Sequence, residues 1–149
     1  MVTEYIAHRL LALYNKNPYV TDALDNYDFY IVPIVNPDGF AFSQTKLRNW
    51  RKNRQVRGKG RCKGTDLNRN WPAHWDADRG SEWMCSDTFR GFLAQDTPEV
   101  AALASHMLNV SSSQSIQLFI DWHAFGQLIM YRESSLPRDR WNMACSNNV

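Results

Sequence analysis

The sequence predicts an α/β layered fold in which helices flank a mixed, partly parallel sheet. Three observations point there. Short apolar runs of strand type alternate along the chain with stretches whose apolar residues recur at helical spacing. Of the 149 residues, 44% are hydrophobic, a proportion ordinary for a globular fold. The length suits one domain and leaves little room for a second. At most four strands and few covering helices are legible, which is thin for a parallel sheet that needs both faces buried. The expected domain is therefore incomplete.

Val2, Ile6, Leu10 and Leu13 recur at three- and four-residue steps, which predicts a helix from Val2 to Lys16 that Asn17-Pro18 ends. Asp28 to Val35 is a nearly continuous apolar run and predicts a buried strand. Pro33 has no N–H to donate, so it fits a bulge or the end of the pairing. Asn36-Pro37-Asp38-Gly39 predicts a turn, because Pro presets one backbone angle and Gly admits a positive one. Gln55 to Gly80 carries four glycines and little periodicity, and it predicts a long loop. A second helix is expected from about Thr97, capped by Asp96 or Thr97, with Pro98 in its first turn and Glu99 favourable to its dipole. Val100, Leu103, Met107 and Leu108 form its expected buried stripe. Ile116 to Asp121 and Gln127 to Tyr131 predict two more strands, and the chain is polar and aperiodic from Ser134.

Apolar runs such as Ile31 to Val35 are far too short to cross a bilayer, so a membrane partner is not expected. No basic start followed by an apolar core marks a secretion signal at Met1-Val2-Thr3-Glu4. The net charge is +2, yet nine basic residues and no acidic ones lie between Lys46 and Lys63, so the rest of the chain carries −7. Such a block marks an anion partner or a solvated loop. Nucleic acid is the weakest candidate: Trp50 could stack on a base, but no binding motif accompanies it. Three cysteines, Cys62, Cys85 and Cys145, allow at most one internal bridge. Asn109-Val110-Ser111 is a glycosylation sequon, which has meaning only in a secreted chain.

Four segments invite a chemical reading. In Trp50-Arg51-Lys52-Asn53-Arg54 a planar guanidinium can meet a carboxylate or a developing oxyanion, or the segment is merely a charged loop. In Asp66-Leu67-Asn68-Arg69-Asn70-Trp71-Pro72 an amide donor stands beside a bidentate fork, a pair suited to gripping a carboxylate, though Asx turns use the same residues. Cys62 and Cys85 bracket most of the long loop, either bridged or reduced. In Asp121-Trp122-His123-Ala124-Phe125-Gly126-Gln127 a histidine sits at the end of a predicted strand, where α/β folds place their sites.

Taken together and in this order, these segments resemble the zinc metallocarboxypeptidases of the carboxypeptidase A and B type. Asn36-Pro37-Asp38-Gly39-Phe40 is similar to that family's turn after a core strand, and Trp50 to Arg54 to its Trp-Arg-Lys-x-Arg segment. Asp66 to Trp71 matches its Asp-x-Asn-Arg-Asn-Trp run. Cys85-Ser86-Asp87-Thr88-Phe89-Arg90-Gly91 resembles its Cys-Ser-Glu-Thr-Tyr-x-Gly, and His123 to Gln127 its His-Ser-Tyr-x-Gln. The resemblance implies a carboxypeptidase-like fold, truncated at both ends, with residues 2–131 a partial catalytic domain and 132–149 a divergent polar tail. It implies that His123 is a zinc ligand and that Arg54 polarises the scissile carbonyl and holds the oxyanion. Asn68 and Arg69 would bind the substrate's free C-terminal carboxylate, making peptide or protein C-termini the partners. Cys62 and Cys85 would form the disulfide, and the chain would be extracellular.

The departures carry equal weight. The family's zinc needs a His-x-x-Glu pair, but His8, His74, His106 and His123 are followed at that spacing by Leu11, Ala77, Asn109 and Gly126. One protein ligand is insufficient for a catalytic zinc. The family's substrate-capping tyrosine and catalytic glutamate lie well beyond its His-Ser-Tyr motif. Glu133 is wrongly placed for the base, and Trp141 and Cys145 have no counterpart. Ala124 and Phe125 replace the motif's Ser and Tyr. The complete enzyme would release C-terminal residues from peptides by zinc-activated water. This chain alone is expected to be inactive. The alternative is a non-catalytic relative that binds peptide C-termini.

Overall fold

The computed structural model describes residues 2–76, 80–124, 128–130 and 143–144. The chain divides into two units, Met1–Leu118 and Phe119–Val149. Among the described residues, the first unit holds four α-helices: α1 Val2–Leu13, α2 Pro18–Asn26, α3 Pro37–Thr45 and α4 Pro98–Ser113. A single 3-10 turn, Leu67–Arg69, interrupts the long connection between α3 and α4. In the second unit, β1 Ile129–Met130 pairs antiparallel with β2 Met143–Ala144, Ile129 opposite Ala144 and Met130 opposite Met143.

Helix α1 stops at Leu13 rather than Lys16, because Asn15 turns left-handed at φ 59°, a conformation asparagine tolerates. Helix α2 was not expected from periodicity. Its start is chemical: the Asn17 side chain accepts from the backbone N–H of Tyr19 and Val20, with Pro18 inside the first turn. The same device turns the expected Asn36–Gly39 bend into the start of α3, where the Asn36 side chain accepts from Gly39 N–H at 3.0 Å. Cap and turn share residue types, and the backbone beyond Gly39 decided between them. Thr97 occupies the N-cap position of α4, but its side chain does not cap. Of the stripe expected on this helix only Val100 is buried, and Leu108 is 68% exposed.

The expected strands at 28–35 and 116–121 do not form. A strand exists only within a ladder, and among the described residues neither segment has a pairing partner. Their apolar side chains consequently remain exposed, among them Phe29, Tyr30, Val32, Leu118 and Ile120. The first segment is nevertheless anchored. Thr3 Oγ1 donates to Pro33 O, the Tyr30 ring packs edge-on to His106, and Gln114 Nε2 donates to Tyr30 Oη. Of the strand expected at 127–131, Ile129–Met130 is observed, while Gln127 and Tyr131 lie outside the described residues. So do Phe125, Gly126, Glu133, Trp141 and Cys145.

The packed centre of the first unit is built from loops and is largely polar. Phe89 and Val100 are its fully buried apolar side chains, beside buried Lys52, Asn53, Arg57, Thr65, Asp66, Asn70 and Thr97. Buried polar groups must be paired, so hydrogen bonding dominates the organisation of this region.

Candidate functional site

Four of the motif segments lock into one another. Asn36, having capped α3 with its oxygen, donates its amide to Lys52 O at 3.1 Å and so ties the first segment to the second. Lys52 is 3% exposed and donates to Met84 O at 2.8 Å, which joins the second segment to the stretch around Cys85. Burial pulls the Lys52 pKa below its ordinary value; the Asp87 and Asp66 carboxylates oppose this and Arg54 adds to it. Arg51 Nε donates to Asp66 Oδ2 at 2.7 Å, linking the second segment to the third.

The 3-10 turn that carries Asn68 and Arg69 is held at both ends. At its start Asp66 accepts from Asn68 N–H, and Asp66 N–H donates to Phe89 O. At its end Asn70 is fully buried and its amide donates to Arg90 O, Leu93 O and Asp96 Oδ1 within 2.8–3.0 Å. Its oxygen accepts from Thr97 N–H and Oγ1. Asp96 is gripped in turn by both Arg57 Nη atoms, at 2.6 and 2.7 Å, and by Phe92 and Leu93 N–H. Burial alone would raise the Asp96 pKa, but these donors and the Arg57 charge outweigh it and hold the carboxyl below its ordinary value. Gly91 is necessary beside this node. It has φ +92°, and a Cβ there would come within 2.5 Å of Asp96 Oδ1 and 2.6 Å of Asn70 Nδ2.

This clamping leaves Asn68 exposed and Arg69 half-buried. Arg69 Nη1 donates to Asn68 O at 3.0 Å, while its Nε is buried without a partner. The pair places an amide and a guanidinium on neighbouring residues of a turn that is hydrogen-bonded at both flanks. Arg54 is placed differently. Its guanidinium carbon lies 3.7 Å from the Phe42 ring centre and 4.4 Å from that of Trp50, and those two rings meet edge to face. Trp50 is thereby engaged within the fold, with its indole N–H donated to Asn53 O. Cys62 and Cys85 form a disulfide with Cα atoms 5.0 Å apart, and this bridge encloses the 3-10 turn.

His123 belongs to the second unit, and its Nε2 lies 2.9 Å from Asp121 Oδ2 with both side chains about half exposed. Among the described residues no group of three or more His, Cys, Asp or Glu side chains is arranged to hold a metal ion. A lone imidazole does not fit a catalytic zinc, which takes three protein ligands.

Several residues essential to this geometry were not singled out as site residues from sequence: Asn70, Asp96, Arg57, Thr97, Phe42 and the Asn53–Glu99 pair. Asn53 is fully buried, donates to both Glu99 oxygens and accepts from Thr65 N–H at 2.8 Å. The available signal was the second asparagine in Asp66 to Asn70. Nothing local, however, pairs Arg57 with Asp96 across 39 residues.

The fold and motif order define a class, and the comparison of sequences agrees. The zinc carboxypeptidase family profile matches residues 1–142, and the chain belongs to that family. It is 50% identical over 130 residues to a metallocarboxypeptidase A of Trichophyton tonsurans, covering 87% of this chain and 31% of that protein. It is 35% identical over 139 residues to carboxypeptidase B of Bos taurus, covering 91% of this chain and 33% of that protein. Among solved structures, thrombin activatable fibrinolysis inhibitor superposes with a TM-score of 0.68 at 37% identity, over 72% of this chain and 27% of that one. The bovine form in complex with tick carboxypeptidase inhibitor gives 0.65 at 36% identity, over 74% and 36%. The chain thus spans about a third of the length of the curated relatives it matches. Among the described residues no helix is long and apolar enough to cross a membrane.

Proposed function

We propose that residues 2–131 form the substrate-carboxylate half of a secreted metallocarboxypeptidase, an exopeptidase that releases C-terminal residues from peptides. The observation that carries this is the Asn68–Arg69 turn, hydrogen-bonded through Asp66 at one end and buried Asn70 at the other. A bidentate guanidinium beside an amide donor recognises a carboxylate and rejects an uncharged amide. Arg54, stacked on Phe42 and Trp50, is the group proposed to face the scissile carbonyl. His123 is the proposed metal ligand contributed by this chain. Segments 28–35 and 116–121 are proposed strands of the mixed sheet in the complete domain. This chain by itself should not catalyse.

The test is binding of a labelled peptide with a free C-terminus against its amidated twin, followed by anisotropy. The free form should bind more tightly by roughly 10- to 100-fold, the value of a charge-assisted hydrogen-bond pair. Arg69→Ala should abolish the difference. Equal binding of the amidated peptide would end the carboxylate reading. A second reading, a non-catalytic binding relative, is favoured by the absence of a metal-holding group among the described residues. The size of the natural polypeptide, followed with a peptide from Trp50 to Trp71, separates the two. A species of this chain's length selects the binding relative, and one of about twice the length or more selects the enzyme.

A further inference from the structure

We infer that Asn109 is an N-glycosylation site. Asn109-Val110-Ser111 is the sole Asn-x-Ser/Thr triplet in the chain whose middle residue is not proline. The structure adds three independent observations. Asn109 is exposed on α4, with no hydrogen bond from its side-chain amide among the described residues, and Leu108 beside it is 68% exposed, so a bulky substituent meets no packed surface. The triplet lies in the last turns of a helix that ends at Ser113. There the hydroxyls of Ser111, Ser112 and Ser113 bond back to the carbonyls of Leu108, Asn109 and Val110, a pattern that weakens a helix and lets its end open. Finally, Cys62 and Cys85 are bridged, which places maturation in an oxidising compartment. Oligosaccharide transfer occurs in the same type of compartment in eukaryotes.

The donor is a lipid-pyrophosphate-linked oligosaccharide. Asn109 Nδ2 bonds to the anomeric carbon of its first sugar and loses one proton to a base of the transferase. The bond from that carbon to the pyrophosphate oxygen breaks, and the lipid pyrophosphate leaves with the electron pair. No oxidant or reductant takes part. The sugar then stands on the exposed side of α4, on a different element from the Asn68–Arg69 turn. Binding of a peptide C-terminus is accordingly expected to be unaffected by it.

The test is translation of the full chain behind a cleavable secretion signal in the presence of endoplasmic-reticulum microsomes. Resistance to added protease identifies the molecules that have entered. The protected chain should show one upward step in mass that peptide-N-glycosidase removes, leaving position 109 deamidated in a peptide map. Asn109→Gln and Ser111→Ala should both lose the step, whereas Ser111→Thr should keep it. A protected wild-type chain at its unmodified mass overturns the assignment, and so does a step that persists in Asn109→Gln. Failure of peptide binding in the earlier experiment leaves this result untouched.

Discussion

A buried amide must satisfy both its ends, and Asn70 does so against one stretch of chain, Arg90 to Thr97, twenty or more residues away. That is why a residue with no direct chemistry governs the placement of its neighbours Asn68 and Arg69. Asp96, its charged partner, makes the arrangement sensitive to acid. Folding lowers the Asp96 pKa, so the unfolded chain takes up this proton more readily than the folded one. The stabilisation is complete above the unfolded value of about 3.9 and is lost as pH falls through the lower folded value. Arg57→Leu removes the principal opposing donor and leaves burial to raise the pKa. The fall of the urea midpoint on acidification should then be smaller in Arg57→Leu than in wild type, because the folded chain no longer resists protonation of Asp96 more than the unfolded chain does. Parallel profiles would show that the Arg57 pair is not what holds the carboxyl down.

At the scale of elements, the 62–85 disulfide encloses the Leu67–Arg69 turn, yet the turn has its own anchors in Arg51–Asp66 and Asn70–Asp96. The bridge should therefore contribute stability without setting the local geometry. Loop-entropy reasoning for a 23-residue separation gives roughly 3 to 4 kcal/mol. Cys62→Ser with Cys85→Ser should lower the urea midpoint accordingly, while the folded fraction keeps its preference for free over amidated C-termini. Loss of that preference at full folding would show that the bridge shapes the turn. The elements also reveal what sequence could convey. Helix α4 was legible from Pro98, Glu99 and its apolar spacing, because first-turn residue types and periodicity are local. Helix α2 was missed, since it has only nine residues and Asn17-Pro18, its N-cap and first turn, reads equally as the end of the preceding helix. The apolar runs at 28–35 and 116–121 were read as strands from composition, but a strand also needs a neighbour, which composition does not supply.

For the whole molecule, the lack of any His-x-x-Glu pair in the sequence beside His123 has a direct consequence. Where a structural metal is built in, chelation unfolds the protein. Here a chelator should leave the thermal transition unmoved, and dialysis against zinc should show no stoichiometric uptake and no hydrolysis of peptides. Tight one-to-one zinc binding would demand ligands beyond His123. The apolar surface has a consequence too. Tyr19, Leu11, Leu118 and Ile129 are each at least 70% exposed. Exposed apolar surface on this scale promotes association, which light scattering as a function of concentration would register.

What the sequence by itself determined was the family, the carboxylate-facing pair Asn68–Arg69 as an expectation, and the lack of a His-x-x-Glu pair. These depend on residue type and order, which survive without coordinates. The tertiary structure decided how the segments act on one another. Asn36 seats Lys52, Arg51 seats Asp66, Asn70 and Arg57 close on Asp96, and Phe42 with Trp50 carries Arg54. The physical reason is that each of these partnerships joins groups with no local periodicity between them. A buried hydrogen bond is specified by the distance and direction of its partners, and only the folded chain brings them within reach.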